Sequence, residues 1–576
     1  MESGFVAILI YLSIDMPPQI DPKRFQIKIE SILGGHSRST HFASKDQFRS
    51  SIGIDPGSPL PRTAGNPYTS GAGDPFSFKP CGLIRPVQST ALTGTIGSAP
   101  LWIEGSPSTN AVFVYDASGS VYTHVVANAT FTALSDAGAT TGSGNGMAYY
   151  DNYMYFATNT DIARYGPLNS SDAYFTPNYW TTVLGLTALT DRAYPYIYFS
   201  SNSLIELRNH YLHRHSDGRL YVADIVGNVG YLHYIQTTKT TVEGDTNAGS
   251  TYLRLRLGVG MAPTCIESLG ANLVIAVYES NEENIAGQRT VRSKTGRAKI
   301  AFWDTTSQNM NAITWVEFPD GLITAMKNVN GTLYVFSTST ERCGGFRVSR
   351  YVGGYTFEEV YSSEEALSPL PGAVDGVSSR LVFGSATFSP SKTGCIFSLG
   401  LSANGLSNGV FCPFVSSLVD DTSVSALMLA GNAFYGKGWD YPVFGVSNND
   451  LTHRLESIVG YDNCNSVFWS QLYRIGQRFR IVKIKIPITE ALTADTRIIP
   501  RIYTDDGFGT TFQLQTINQT NFGTQRAITL RPMDISTGQP VTGESNFMLG
   551  FQWSESYPMT IGLPITIEYE LIPDTD

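Results

Sequence analysis

The chain has 576 residues, more than one ordinary core holds, so about two to four domains are expected. Charged residues make up only 15%, against ~25% in typical globular domains, while Gly (55), Tyr (31) and Phe (30) are plentiful. That is the composition of β structure with many turns, and the net charge of −10 disfavours wholesale binding to a nucleic-acid backbone. Cysteines at 81, 265, 343, 395, 412 and 464 show no CxxC spacing. They read as small buried thiols of a reducing compartment, not as a disulfide framework or a zinc site.

The chain opens with an apolar run, "GFVAILIYL" (4–12). A membrane span needs ~20 such residues, and a signal peptide wants positive charge before the run, where Glu2 stands. A buried or docking segment is expected, with no membrane span and no export. In "RFQIKIESI" (24–32), Phe25, Ile27 and Ile29 alternate with Gln26, Lys28 and Glu30, the pattern of a half-buried strand. These three apolar residues are the candidate contacts of an N-terminal arm. "FASKDQFRSSI" (42–52) is the best helical segment, with Ser44 as its N-cap. Residues 53–82 are crowded with Pro and Gly and lack periodicity, which suits an extended arm lying on a neighbouring surface. Residues 1–95 are therefore assigned to an N-terminal arm and strand region for assembly contacts.

Between 96 and 465 one pattern recurs: a turn with Gly or Asn, then a strand rich in aromatic and β-branched residues. "DGRLYV" (217–222) and "NGTLYV" (330–335) are nearly the same hexapeptide. The hydrophobic triplets centre on Phe113, Tyr155, Tyr221, Val274, Tyr334, Val382 and Phe434. A four-stranded blade needs ~40–50 residues, so this spacing predicts a β-propeller of about seven blades, closed radially so that few strand edges are exposed.

Residues 466–576 form a third region. "RFRIVKIKIPI" (478–488) alternates apolar and basic residues, and its parity slips near Val482, which predicts a bulge. "DTRIIPRIYTDDGFGTTFQLQTI" (495–517) is a hairpin around Asp-Gly. With "SNFMLGFQWS" (545–554) and "LPITIEYELI" (563–572), the region suits a small β-sandwich. The fold class is all-β: a propeller, an N-terminal arm and a C-terminal sandwich.

The sequence carries no GxSxG, HExxH, P-loop or EF-hand pattern. No catalytic residue, metal ligand or cofactor is assigned. Residues 209–222, "NHYLHRHSDGRLYV", hold His210, His213 and His215. On a strand the last two share a face, but a zinc site needs a third ligand, and nothing nearby offers one beyond Asp217 in the turn. They read as hydrogen-bonding histidines of a blade. The basic run Arg478, Arg480, Lys483 and Lys485 is the candidate interface for an anionic partner, or else one solvated sheet face.

The runs "GGHSRSTHFASKDQFRSSIGIDPGSPLPR" (34–62), "SGAGDPFSFKPCGLIRP" (70–86), "SAPLWIEGSPSTNAVFVYDASGSVYTHV" (98–125) and "FWSQLYRIGQRFRIVKIKIPITEALTADTRIIPRIYTDDG" (468–507) resemble virion proteins of tailed bacteriophages. The architecture is similar to the β-propeller nozzle proteins of short-tailed phages. This resemblance implies a non-enzymatic tail component in the virion, assembled in the host cytoplasm as a homo-oligomeric ring. Its implied partners are tail adaptor, tube or fibre proteins, with DNA passing through the channel. The alternative is a glycan-binding or glycan-active propeller, such as a receptor-binding tail component that meets a host surface glycan.

Overall fold

The structure, a computed structural model, describes residues 24–573 apart from inter-strand segments, the longest being 37–46, 53–83, 135–145, 237–254, 280–296, 386–394, 401–409, 416–426 and 431–442. Among the described residues, seven antiparallel four-stranded sheets are the blades of a β-propeller. Blade 1 has strands Pro100–Gly105, Ala111–Asp116, Val121–Val125 and Thr130–Ala133; blade 2 has Gly146–Tyr150, Tyr153–Ala157, Ile162–Gly166 and Tyr174–Thr176. Blade 3 comprises Leu212–Arg214, Leu220–Val226, Val229–Ile235 and Leu255–Val259, and blade 4 comprises Met261–Leu269, Asn272–Glu279, Arg297–Trp303 and Thr314–Phe318. Blade 5 runs through Leu322–Val329, Thr332–Thr338, Phe346–Gly353 and Thr356–Ser363; blade 6 through Val374–Val377, Arg380–Ser385, Cys395–Gly400 and Val410–Val415. Blade 7 takes three strands from late in the chain, Leu427–Ala430, Val443–Ser447 and His453–Ile458, and its outer strand, Thr90–Ile96, from before blade 1. That swap ties the two ends of the ring together by backbone hydrogen bonds.

The first strand of each blade lies innermost, and neighbouring inner strands touch all the way round the ring. Six of the seven predicted triplet centres lie on second strands; Phe434 falls outside the described residues. The reason is chemical. A second strand is covered on both faces by adjacent blades, so it reads as a continuous apolar run. Phe336 of blade 5 and Phe383 of blade 6 meet edge-on at 4.9 Å across such a seam. Burying a large apolar side chain contributes about 1.5–3 kcal/mol, and the seams are stacked from such pairs.

The C-terminal region is a two-sheet sandwich with one shared core. One sheet runs Arg24–Ile29, Ile565–Leu571, Phe479–Pro487, Ala527–Leu530; the other includes Gln47–Ile52, Val467–Ser470, Asn546–Trp553 and Ile498–Thr504. The N-terminal region thus joins its own chain's sandwich. Phe25, Ile27 and Ile29 pair in register with Tyr569, Ile567 and Ile565, and Phe25 stacks on Tyr569 at 5.5 Å. Ile29 is buried in the sandwich and Ile27 partly so, while Phe25 stays 38% exposed. The expected helix over 42–52 is not formed: Gln47–Ile52 is a strand paired with Val467–Ser470. Phe48 is fully buried against Phe468, ring centroids 5.4 Å apart, so a tertiary pairing overrides the local helical pattern. Segments 4–12 and 53–82 lie outside the described residues.

Candidate binding site in the central channel

The inner strands of blades 1 to 6 converge on one recess of about 240 Å³. Trp102 and Glu104 come from blade 1, Tyr149 from blade 2, His213 from blade 3, Glu267 from blade 4 and Lys327 from blade 5. Residues on one inner strand alternate between seam and channel. A polar residue therefore enters the channel wherever the alternation points it inward, and ring closure gathers residues more than 200 positions apart.

Lys327 forms the hub. Its Nζ lies 3.1 Å from Asp375 Oδ1 on the inner strand of blade 6. Burial opposes the lysine's charge, yet Asp375, Glu267 and Glu104 together hold its pKa above the ordinary value. Burial pushes the Asp375 and Glu267 carboxyls up, with Lys327 pulling both back. The ammonium is thus a fixed charge in the ring's interior.

Beside it lies a directional hydrogen-bond chain. His213 Nε2 and His215 Nδ1 each sit 2.7 Å from Ser268 Oγ on blade 4. His215 Nε2 faces the Ala271 carbonyl at 3.2 Å, which only accepts, so the proton of the neutral ring is there. Ser268 then donates to His215 Nδ1 and accepts from His213 Nε2. Burial, followed by the Lys327 charge, lowers the His213 pKa to about 3. Asn328 Nδ2 donates to the Ser268 carbonyl at 2.7 Å, binding blade 5 to the same point.

Serine, histidine and glutamate stand together here, but not as a nucleophilic triad. Glu267 Oε1 approaches His213 at Nε2, 3.7 Å away, the same nitrogen that meets Ser268. A triad acid must hold the opposite ring nitrogen to orient the base. A ring that stays neutral down to about pH 3 is also a weak base. The arrangement fixes geometry and donates hydrogen bonds.

The three histidines of the sequence motif separate as their strand parity implies. His213 and His215 meet Ser268, while His210 lies between the Ala223 and Asn159 carbonyls at 3.0 and 2.9 Å. Asp224 sits 3.7 Å from His210 and 3.5 Å from His233. Burial works against the Asp224 charge, yet the hydrogen bond from His233 and the nearby His210 hold its pKa below the ordinary value. No cluster of three or more metal-ligating side chains occurs among the described residues.

The basic run of the sandwich is largely neutralised by its own sheet. Arg480 pairs with Glu570, Lys485 Nζ lies 3.1 Å from Glu568, and Arg478 Nε lies 3.5 Å from Glu544. Lys483 stands opposite Glu568 in the ladder, just after the register shift at Val482 that the parity slip predicted. Sequence reading missed Lys327, Asp375, Glu267 and Ser268. No local spacing marks them, because only the closure of the ring makes them neighbours.

No family model matches the chain, and no curated protein matches it. Solved structures that match include a β-propeller domain and a set of WD40 repeats. The Cps50 (Swd1) β-propeller domain of Myceliophteria thermophila is 9% identical with a TM-score of 0.37, covering 64% of this chain and 100% of that one. U3-55K is 11% identical with a TM-score of 0.38, covering 64% and 98%. The RRP9 WD40 repeats are 10% identical with a TM-score of 0.38, covering 66% and 99%. These likenesses concern the propeller fold. The resemblance to phage virion proteins is corrected here: the solved structures named are a Cps50 (Swd1) β-propeller domain, U3-55K and RRP9 WD40 repeats, and none of them is named as a virion protein. The tail role, the virion location, the ring of copies, the tail-protein, DNA and glycan partners are withdrawn with it. No described helix is long and apolar enough to cross a membrane.

Proposed function

We propose that this chain is a non-catalytic protein-interaction scaffold whose central channel receives a side chain from a partner protein. One observation carries the reading: six blades converge on a recess of about 240 Å³ in which the Lys327 ammonium is already paired with Asp375. Pockets for drug-sized ligands and cofactors span ~300–1,000 Å³, so this recess suits a single inserted side chain. The interlocked network of Lys327, Asp375, His213 and Ser268 is preorganised, which favours recognition because little ordering is left for the moment of binding. Exposed apolar side chains add contact surface elsewhere on the ring. Val226 and Val259, 43% and 66% exposed, flank Val229 across three strands of blade 3.

The test is photocrosslinking in cells. A crosslinking amino acid replaces Tyr149 at the recess, and a second variant carries it at Thr356 on the outer strand of blade 5. The scaffold reading expects one discrete partner from the first position, lost on Glu267→Gln or Lys327→Met in a protein that remains folded. Identical products from both positions would sink it.

A further inference from the structure

The outer face of the sandwich carries more positive charge than its basic run alone supplies. In the sheet that joins Arg24–Ile29, Ile565–Leu571 and Phe479–Pro487, side chains alternate between core and solvent. Ile29, Ile567 and Ile484 take the core side. The opposite parity falls into rows across the three strands. One row is Arg24, Glu570, Arg480; the next is Gln26, Glu568, Lys483. The third is Lys28, Thr566, Lys485. The register shift between Ile481 and Lys483 keeps Lys483 and Lys485 on the same side as Arg480. Both acids stand on the middle strand, and every charged residue of the two flanking strands in these rows is basic.

The two acids do not cancel this face. Five cations share it with two carboxylates. Glu568 and Glu570 are buried, whereas Arg24, Lys28, Arg480 and Lys485 are exposed. Solvent therefore meets the cations. Glu570 already pairs with Arg480, and Glu568 with Lys485. Arg24 and Lys28 add charge that these acids do not match. Glu30, just past the first strand, and the Arg478–Glu544 pair lie beyond the rows. The buried carboxylates also hold Arg480 and Lys485 in place, so less side-chain order is lost when a partner binds.

The spacing favours an extended partner. Outward residues on one strand repeat every ~6.7 Å, and the two basic columns lie two strand spacings, ~9.5 Å, apart. An extended peptide with acids at alternate positions has the same repeat. A long polyanion would meet the rest of a chain whose net charge is −10. A short segment senses only the local face, because charges farther than ~8–10 Å are screened.

We propose that Arg24, Lys28, Arg480, Lys483 and Lys485 form a docking surface for an extended acidic segment of a partner protein, with Asp or Glu at alternate positions. Glu568 and Glu570 act as positioning residues beneath it. The proposal stands on the sandwich alone and is independent of the channel's role.

The experiment uses the full chain and a fluorescent peptide of alternating glutamate and threonine, read by anisotropy. Saturable binding that weakens with added salt is expected. Arg24→Gln with Lys28→Gln should weaken it roughly fivefold to tenfold, the loss expected of two exposed ion pairs. Lys28→Gln alone serves if the double variant does not fold, and should weaken it by about half that factor on a logarithmic scale. A peptide of the same composition with its glutamates in one block should bind less tightly. Failure of the alternating peptide to bind would overturn the proposal. So would equal binding by the wild type and the folded variants, or equal binding of the two peptides. A single-stranded oligonucleotide of the same charge that bound more tightly than the peptide, and was weakened by the same variants, would assign the face to nucleic acid instead.

Discussion

Lys327 on the inner strand of blade 5 reaches across the seam to Asp375 on the inner strand of blade 6, with 3.1 Å between ammonium and carboxylate. Asp375 also accepts from the Gly376 backbone N–H at 2.7 Å. The pair therefore pins two blades where they border the channel. Removing one member of a buried pair leaves the other charge uncompensated, at a cost of about 3–5 kcal/mol. Lys327→Met should thus lower stability by about 3 kcal/mol, trimmed because the lysine is partly reached by water. Lys327→Met with Asp375→Asn should recover part of that loss. Denaturant unfolding of the two singles and the double measures the coupling; additive losses would show that the pair does not act as a unit.

The His213 ring gives the channel a pH dependence with a definite sign. Its ordinary pKa of 6.5 falls to about 3 in the folded chain. The unfolded state therefore takes up a proton near pH 6.5, while the folded state does not until about pH 3. Between those values the unfolded state binds more protons, so stability falls as pH falls, by at most ~1.4 kcal/mol per pH unit. The stabilisation is complete above pH 6.5. His213→Gln retains a hydrogen-bonding side chain toward Ser268 without a titrating group. Its unfolding midpoint should drop less than the wild type's from pH 7 to pH 5, and a parallel drop would refute the assignment.

Most of the propeller was legible because its second strands are apolar on both faces. The aromatic and β-branched runs around Tyr221, Val274 and Tyr334 stand out in the sequence, and each marks a blade. The closing strand Thr90–Ile96 was missed, since its pairing partner lies more than 350 residues away and nothing local distinguishes an outer strand. Phe48 misled for a similar reason: its burial against Phe468 is a long-range fact. The channel groups were invisible as a set. Lys327, Glu267 and Asp375 look like ordinary surface charges until three inner strands bring them within reach of one another. The histidines were readable up to strand parity, which placed His213 and His215 together, but not up to their shared partner Ser268.

The cross-strand ladder of the sandwich predicts unequal roles for its basic residues. Arg480 and Lys485 are each about half-exposed, but Glu570 is 5% exposed and Glu568 11%. Arg480→Met strands a buried carboxylate and should cost about 1–3 kcal/mol. Lys485→Met leaves a better solvated partner and should cost about 1 kcal/mol or less. Thermal unfolding of the two variants checks the order, and the reverse order would place the stronger restraint at Glu568.

Deleting residues 1–96 removes Arg24–Ile29 and Gln47–Ile52 from the sandwich and Thr90–Ile96 from blade 7. Both sheets of the sandwich lose a strand, and the ring loses its closure. The truncated chain should be largely insoluble or open to limited proteolysis in blade 7. A truncation that left blade 7 as protease-resistant as in the full chain would show that the strand swap is dispensable.

Close backbone approach fixes where blades 2 and 3 can meet. A Cβ placed on Gly146 would stand 2.4 Å from the His210 carbonyl oxygen and 3.0 Å from the Leu212 nitrogen. Both obstacles are backbone, which cannot swing aside as a side chain would. His210 is itself anchored to Asn159 and Ala223 and flanked by Asp224, so the strain from Gly146→Ala cannot be relieved by moving that segment without breaking its hydrogen bonds. Overpacking of this kind costs about 1–3 kcal/mol. The expected result is a lower unfolding temperature, with faster hydrogen exchange confined to the inner strands of blades 2 and 3. A control at Gly218, whose Cβ would meet nothing within 4 Å but whose φ is +83°, separates the two causes of glycine preference. Gly218→Asn should be tolerated there, because asparagine accepts positive φ, whereas Gly146→Asn should be as damaging as alanine.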